Sequence, residues 1–133
     1  MPSKLENLER ALRSMSSIYD YDEPYSEVEL AGIVALFEVT FELSWKAMKE
    51  SLQTFGYPAA QTGSPRSVLK TAYAAGMIDD EQVWLDALAM RNNVSHSYNS
   101  EIALEMARVA KSRYYALFGN LADVLRAKWT LSD

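Results

Sequence analysis

Apolar residues recur along this chain at the three- and four-residue spacings of amphipathic helices, and nowhere do they alternate convincingly with polar residues as a half-buried strand requires. The pattern predicts an all-α protein. Leu5, Leu8, Leu12 and Met15 make a one-sided stripe on a first helix over about 4–18. A loop at 19–25, containing Pro24, follows it. Ser26 with Glu29 three residues on is a capping box. It opens a long second helix with the stripe Ile33, Phe37, Phe41, Trp45, Met48, Leu52 and Phe55, which Gly56 closes. Residues 57–63 have loop composition. Ser64-Pro65 supplies an N-cap and a proline at the first helical position, so a short third helix runs to about Ala75 and stops at Gly76.

Asp79, with Gln82 three residues on, starts a fourth helix whose expected inward face is Val83, Ala87, Met90 and Val94, with Trp84 beside them. The Ser-, Asn- and His-rich stretch at 95–100 ends it. A last helix runs from near Ser100 to about Lys128, with Gly119-Asn120 as the expected kink. No repeat, low-complexity tract or linker interrupts this order. Residues 1–133 therefore read as one domain, an up-and-down bundle of about five helices: two long, two shorter and one short and crossing. Antiparallel packing is the default.

Composition narrows the chemistry. A chain of 133 residues, against about 150 for a typical domain, leaves room for one core and one site. Without cysteine and with a single histidine, His96, it has no thiol nucleophile, disulfide, iron–sulfur cluster, cysteine zinc site or two-histidine metal site. Thirteen basic and 18 acidic residues give a net charge of −5, which argues against a surface that holds nucleic acid everywhere by neutralising phosphates. It leaves room for a small local basic site. The N-terminus is charged and amphipathic, without the apolar segment of a signal peptide, and the longest apolar stretch, 30–37, is far shorter than the roughly 20 residues of a membrane span. A cytoplasmic protein with no membrane partner is expected. Asn93-Val94-Ser95 matches a glycosylation sequon, read here as a chance match.

The densest polar cluster surrounds the sole histidine. Arg91, Asn92, Asn93, His96 and Tyr98 fall within eight residues at the expected end of the fourth helix. An arginine can hold a phosphate through its planar fork of donors, and a neutral imidazole can take a proton from a ribose hydroxyl. Together they suit RNA cleavage without a metal. At about 100° per residue, Arg91 and His96 lie some 140° apart on a continuous helix, so they share a face only if the helix ends or distorts between them. The competing account is plain capping: an Arg and a His at a helix C-terminus can bond the last carbonyls and favour the dipole there.

The pattern Arg91-x4-His96-x-Tyr98 resembles the HEPN superfamily, all-helical domains in which such an arginine and histidine form a ribonuclease site. Residues 36–46, Ser64-Pro65-Arg66, 75–80 and Val83-Trp84-Leu85-Asp86 are similar to its nucleotidyltransferase substrate-binding branch, a resemblance covering roughly 4–128. It implies a HEPN-like bundle acting as a homodimer and encoded beside a minimal nucleotidyltransferase. It also implies a toxin-like, metal-independent endoribonuclease with His96 as general base, Arg91 stabilising phosphate charge and Asn92 orienting the phosphate or His96. The tyrosine that a partner of this kind modifies with AMP corresponds to Tyr98. The alternative the resemblance leaves open is a noncatalytic substrate-binding subunit of the nucleotidyltransferase.

Other candidates carry less. Glu38, Glu42, Lys46 and Lys49 form a polar strip on the second helix, expected as a solvated face that in a dimer could border the Arg91/His96 cleft. Phe37, Phe41 and Trp45 read as core rather than as a base-stacking platform. Residues 20–23 lack the glycine and distal glutamate of a calcium loop. No glycine-rich phosphate loop is present, so no cofactor or metal is expected and nucleotidyl transfer would need a partner.

Overall fold

The computed structural model describes residues 3–57, 63–96 and 98–131. Most of the loop expected at 57–63, and Ser97, lie outside them. The elements are α1 (Lys4–Met15), a 3-10 turn (Ser16–Asp20), α2 (Glu27–Thr54), α3 (Pro65–Ala74), α4 (Glu81–His96), α5 (Ser100–Val109), a π-helical segment (Ala110–Tyr114) and α6 (Tyr115–Lys128). The last three follow one another without a break, so the chain is an all-α bundle of five helical rods.

Local chemistry sets the helix ends. Ser26 and Glu29 form the expected capping box, and Ser3 with Glu6 makes a second at α1. Ser64 caps α3 ahead of Pro65. Gly56 and Gly76 adopt positive φ of 85° and 77°, which L-residues with a Cβ avoid, and close α2 and α3 in Schellman turns. In those turns Tyr57 N donates to Leu52 O at 2.9 Å and Met77 N to Ala72 O at 2.9 Å.

The first helix ends at Met15 rather than at Ile18, and the chain continues to Asp20 as the 3-10 turn, which keeps Ile18 buried. The cap of α4 is Asp80, whose Oδ1 accepts from Val83 N at 3.2 Å, and not Asp79. That register turns Trp84, Ala87, Leu88 and Val94 inward, while Val83 and Met90 lie half-buried on its flanks. Phe55, expected on the α2 stripe, is half-exposed against Trp129.

Gly119-Asn120, the expected kink, sit inside the continuous helix α6. The last rod is distorted about two turns earlier, at 110–114. There the widened turn exposes the Lys111 carbonyl, which accepts from the Tyr19 hydroxyl at 2.6 Å, while the Lys111 ammonium bonds the Tyr21 carbonyl. The segment between α1 and α2 thus grips the distortion, and Arg108 pairs with Glu23 beside it.

Helix directions follow from side-chain partners. Lys4 N reaches Glu50, so α1 runs antiparallel to α2, and Arg126 pairs with Glu9, so α6 returns along α1. Trp84 meets Phe118 and Asp86 meets Arg113, so α4 runs antiparallel to the last rod. The core is one cluster spanning all the rods, centred on Phe37, Phe41, Trp84, Tyr114 and Phe118, with ring centroids 5.4–6.4 Å apart. Thr40 and Ser44 are buried but satisfied, their hydroxyls donating to Leu36 O and Thr40 O one turn back. Among the described residues no helix is long and apolar enough to cross a membrane.

Candidate active site

The α4 face that buries Trp84 and Leu88 carries Arg91 one turn further on, where the bundle opens. A guanidinium there meets α2. Arg91 Nη2 donates to Glu42 Oε2 at 2.8 Å, and Arg91 Nη1 donates to Asn92 Oδ1 at 2.9 Å. The Arg91 Cζ lies 6.0 Å from the Phe41 ring centroid, within cation–π range. The same Glu42 oxygen accepts from Trp45 Nε1 at 3.1 Å, and Lys46 Nζ lies 3.8 Å from the other oxygen. Arg91 and Glu42 expose only 27% and 34% of their side chains, so the pair is shielded more than an ordinary surface bridge.

Burial of Glu42 works to raise its pKa. The hydrogen bonds from Arg91 and Trp45, with the charges of Arg91 and Lys46, outweigh that effect and hold the carboxyl below its usual value. The carboxylate is therefore ionised at neutral pH. Glu38, Val39, Glu42, Arg91 and Ser95 line an open cleft of about 400 Å³. Two carboxylates, Glu38 and Glu42, balance Arg91 and Lys46, so one chain offers an anion no net positive field here.

Helix α4 continues without a break through His96. The distortion that would bring Arg91 and His96 onto one face is absent, and the two project about 140° apart around the helix. His96 is exposed in the last helical turn, and Asn92 is exposed beside Arg91. Tyr98 lies beyond the helix, as expected, with 53% of its surface exposed. It lines a separate hollow of about 410 Å³ with Glu27, Val28, Leu30, Ala31 and Ser100 at the start of α2. The structure therefore unites Arg91 with Asn92 and keeps His96 and Tyr98 on other faces of the same helix end. The sequon falls within α4, with Val94 buried.

The strip expected to border the cleft in a dimer reaches it within one chain, through Glu38 and Glu42. What sequence reasoning misses is the direct bond from Glu42 to Arg91 and the indole N–H of Trp45, a residue read as core, on the same carboxylate oxygen. The available signal was the favourable Glu42/Lys46 spacing beside an aromatic stripe, which says nothing of a partner 49 residues away. Asp22 and Glu23 face Lys111 and Arg108, and among the described residues no group of three or more metal-ligating side chains assembles.

Comparison with known proteins adds independent information. Residues 3–127 match the family described as nucleotidyltransferase substrate binding protein like. A stretch of 77 residues is 35% identical to a probable ribonuclease HepT of Haemophilus influenzae, covering 56% of this chain and 53% of that protein. The chain thus spans about half the length of the curated relative it matches. Among solved structures, HI0074 from H. influenzae superposes with a TM-score of 0.77 at 25% identity, over 92% of this chain and 98% of that one. That structure is described as revealing the fold of a substrate binding domain of a nucleotidyltransferase. A protein from Thermus thermophilus shares the fold, with a TM-score of 0.71 at 24% identity, over 93% of this chain and 99% of its own.

Proposed function

Because this chain belongs to the nucleotidyltransferase substrate-binding protein family, we propose that it is the HEPN-type partner of a small nucleotidyltransferase and a metal-independent endoribonuclease. The observation that carries the reading is Arg91, held half-buried at the wall of an open cleft within one and a half turns of the chain's sole histidine.

In the proposed reaction His96 takes the proton of a ribose 2′-hydroxyl, and that oxygen attacks the adjacent phosphorus. The bond to the 5′-oxygen breaks, a proton from solvent completes the 5′-hydroxyl, and a 2′,3′-cyclic phosphate remains. Arg91 meets the charge that develops on the phosphate, oriented by Asn92. The unbroken helix supports a homodimer. Since Arg91 and His96 of one chain diverge, a single phosphate meets both when Arg91 comes from one copy and His96 from the other.

A surface for that second copy exists. Val28, Gly32, Ala35 and Val39 form an exposed small and apolar stripe along α2 at spacings of four, three and four residues, the period of a helix–helix seam. It runs from beside Tyr98 to the Arg91 cleft. Tyr98, exposed two residues beyond His96, is the proposed point of control. Transfer of AMP from ATP to its hydroxyl, with release of pyrophosphate, would add negative charge and bulk at the helix end that must admit RNA.

The second reading is a noncatalytic subunit that presents a substrate to the nucleotidyltransferase. The balanced charge of the Arg91 cleft favours it, as does the likeness to HI0074. The two separate on incubating the purified protein with RNA in EDTA. The ribonuclease reading expects fragments ending in 2′,3′-cyclic phosphate, absent with His96→Ala. Intact RNA, or equal cleavage by the variant, supports the noncatalytic subunit.

A further inference from the structure

A long side chain at an open helix end samples many rotamers, and a ligand that needs one of them must bear the cost of selecting it. Arg91 is an exception. Its Nη2 is held by Glu42 Oε2, and that oxygen also accepts the indole N–H of Trp45, a residue 8% exposed at the edge of the core. The contacts therefore run from the packed interior outward: Trp45 fixes the carboxylate, and the carboxylate fixes the guanidinium. Trp45 follows Glu42 by three positions on α2, so a single helix carries both parts of the support at a spacing that faces them the same way.

Taking the RNA phosphate of the proposed reaction as the ligand, we propose that Glu42 and Trp45 are positioning residues that hold Arg91 in its working orientation. One N–H of the guanidinium goes to Glu42 and one to Asn92, which leaves the others of its planar fork for an anion in the cleft. The Phe41 ring centroid lies 6.0 Å from the guanidinium carbon, within cation–π range. A carboxylate whose task was to mask Arg91 would be displaced by a phosphate competing for the same edge. Glu42 instead engages a single amino group from the side, and its own place is set by Trp45 and Lys46.

Two readouts test this, one of them independent of catalysis. Glu42→Ala removes the acceptor, Glu42→Gln keeps an oxygen for both donors, and Trp45→Phe keeps the ring while deleting the N–H. Nitrogen-15 NMR of the arginine side chains should show slow rotation about the Arg91 Cζ–Nε bond in the native protein, against fast rotation at exposed Arg10. Rotation at Arg91 should become fast in Glu42→Ala and intermediate in Trp45→Phe. With RNA, Glu42→Ala should lower kcat about tenfold or more, as a misplaced catalytic group does. KM should change less than about threefold, and Glu42→Gln should retain most of the rate. The melting temperature of each variant, measured alongside, separates this pattern from unfolding.

An Arg91 as mobile as Arg10 in the native protein would overturn the proposal. So would a folded Glu42→Ala that cleaves as fast as native protein, or binds RNA more tightly and cleaves faster, which would make Glu42 a mask. Should native protein cleave no RNA, the ribonuclease reading fails, and the rotation of Arg91 still decides whether Glu42 positions it.

Discussion

Two neighbouring residues of α2 meet α4 in opposite ways. Phe41 is fully buried against Trp84, while Glu42, one step around the helix, reaches Arg91 in an open cleft. Seven residues separate Trp84 from Arg91, close to two helical turns, so the face of α4 that closes the core becomes the wall of the cleft. The dry contact supplies stability, and the polar one stands on it. A change at the first should unfold the protein, and a change at the second should disarm it.

The largest effect is expected at the dry contact. Trp84→Ala or Phe118→Ala should cost about 3–5 kcal/mol, a large part of the stability of a domain this size, and move the urea midpoint down sharply. Trp45→Ala should act in the same direction, since it removes a core ring together with the support of Glu42. A midpoint unchanged by Trp84→Ala would place the stabilising weight elsewhere. Next comes the polar contact. Arg91→Ala and His96→Ala should each slow RNA cleavage by about 100-fold or more while shifting stability by only about 0.5–1 kcal/mol. Loss of the melting transition in either variant would mean that these residues cap the helix rather than act on RNA.

A third, intermediate effect concerns the exposed stripe of α2 that ends at the cleft. Val39→Asp places a charge on the proposed seam without touching the core, because Val39 is 53% exposed. Light scattering should show native dimers and a folded monomer of 15.0 kDa for the variant. A native monomer at all micromolar concentrations would break the link between the cleft and a second copy.

The smallest effect is in the pH dependence. Glu42 has a lowered pKa when folded, so the stability it contributes is present above its unfolded pKa and lost as pH falls through the folded value. The advantage of native protein over Glu42→Gln in thermal melts should therefore shrink on acidification below the usual carboxylate range. A gap that widens would reverse the sign assigned to the pair.

The same contrast explains what was legible in the sequence. Features settled within a few residues, such as the Ser26/Glu29 box, the Ser64-Pro65 start and the Gly56 and Gly76 stops, appear where the pattern put them, because a cap is a bond between positions three to five apart. The buried stripe of α2 from Ile33 to Leu52 follows from its period for the same reason. Features set by distant partners were not legible. The distortion at 110–114 is held by Tyr19, 92 positions earlier, and glycine alone pointed to the wrong turn. The inward face of α4 differs from the expected one in taking Trp84 and Leu88 into the core, where Trp84 packs on Phe41 and Phe118 of other rods. Arg91, His96 and Tyr98 are visible as a cluster, and the Glu42 strip as a possible border of their cleft in a dimer, whereas the bond from Glu42 to Arg91 within one chain joins two helices and has no local signal.

The central claim is that one phosphate meets Arg91 of one copy and His96 of another. The most direct test mixes two inactive variants. Arg91→Ala and His96→Ala chains, each without RNA cleavage in EDTA, should form mixed dimers on joint refolding that carry one complete site and recover part of the native rate. Mixed dimers verified by mass that remain as inactive as either parent would contradict the shared site.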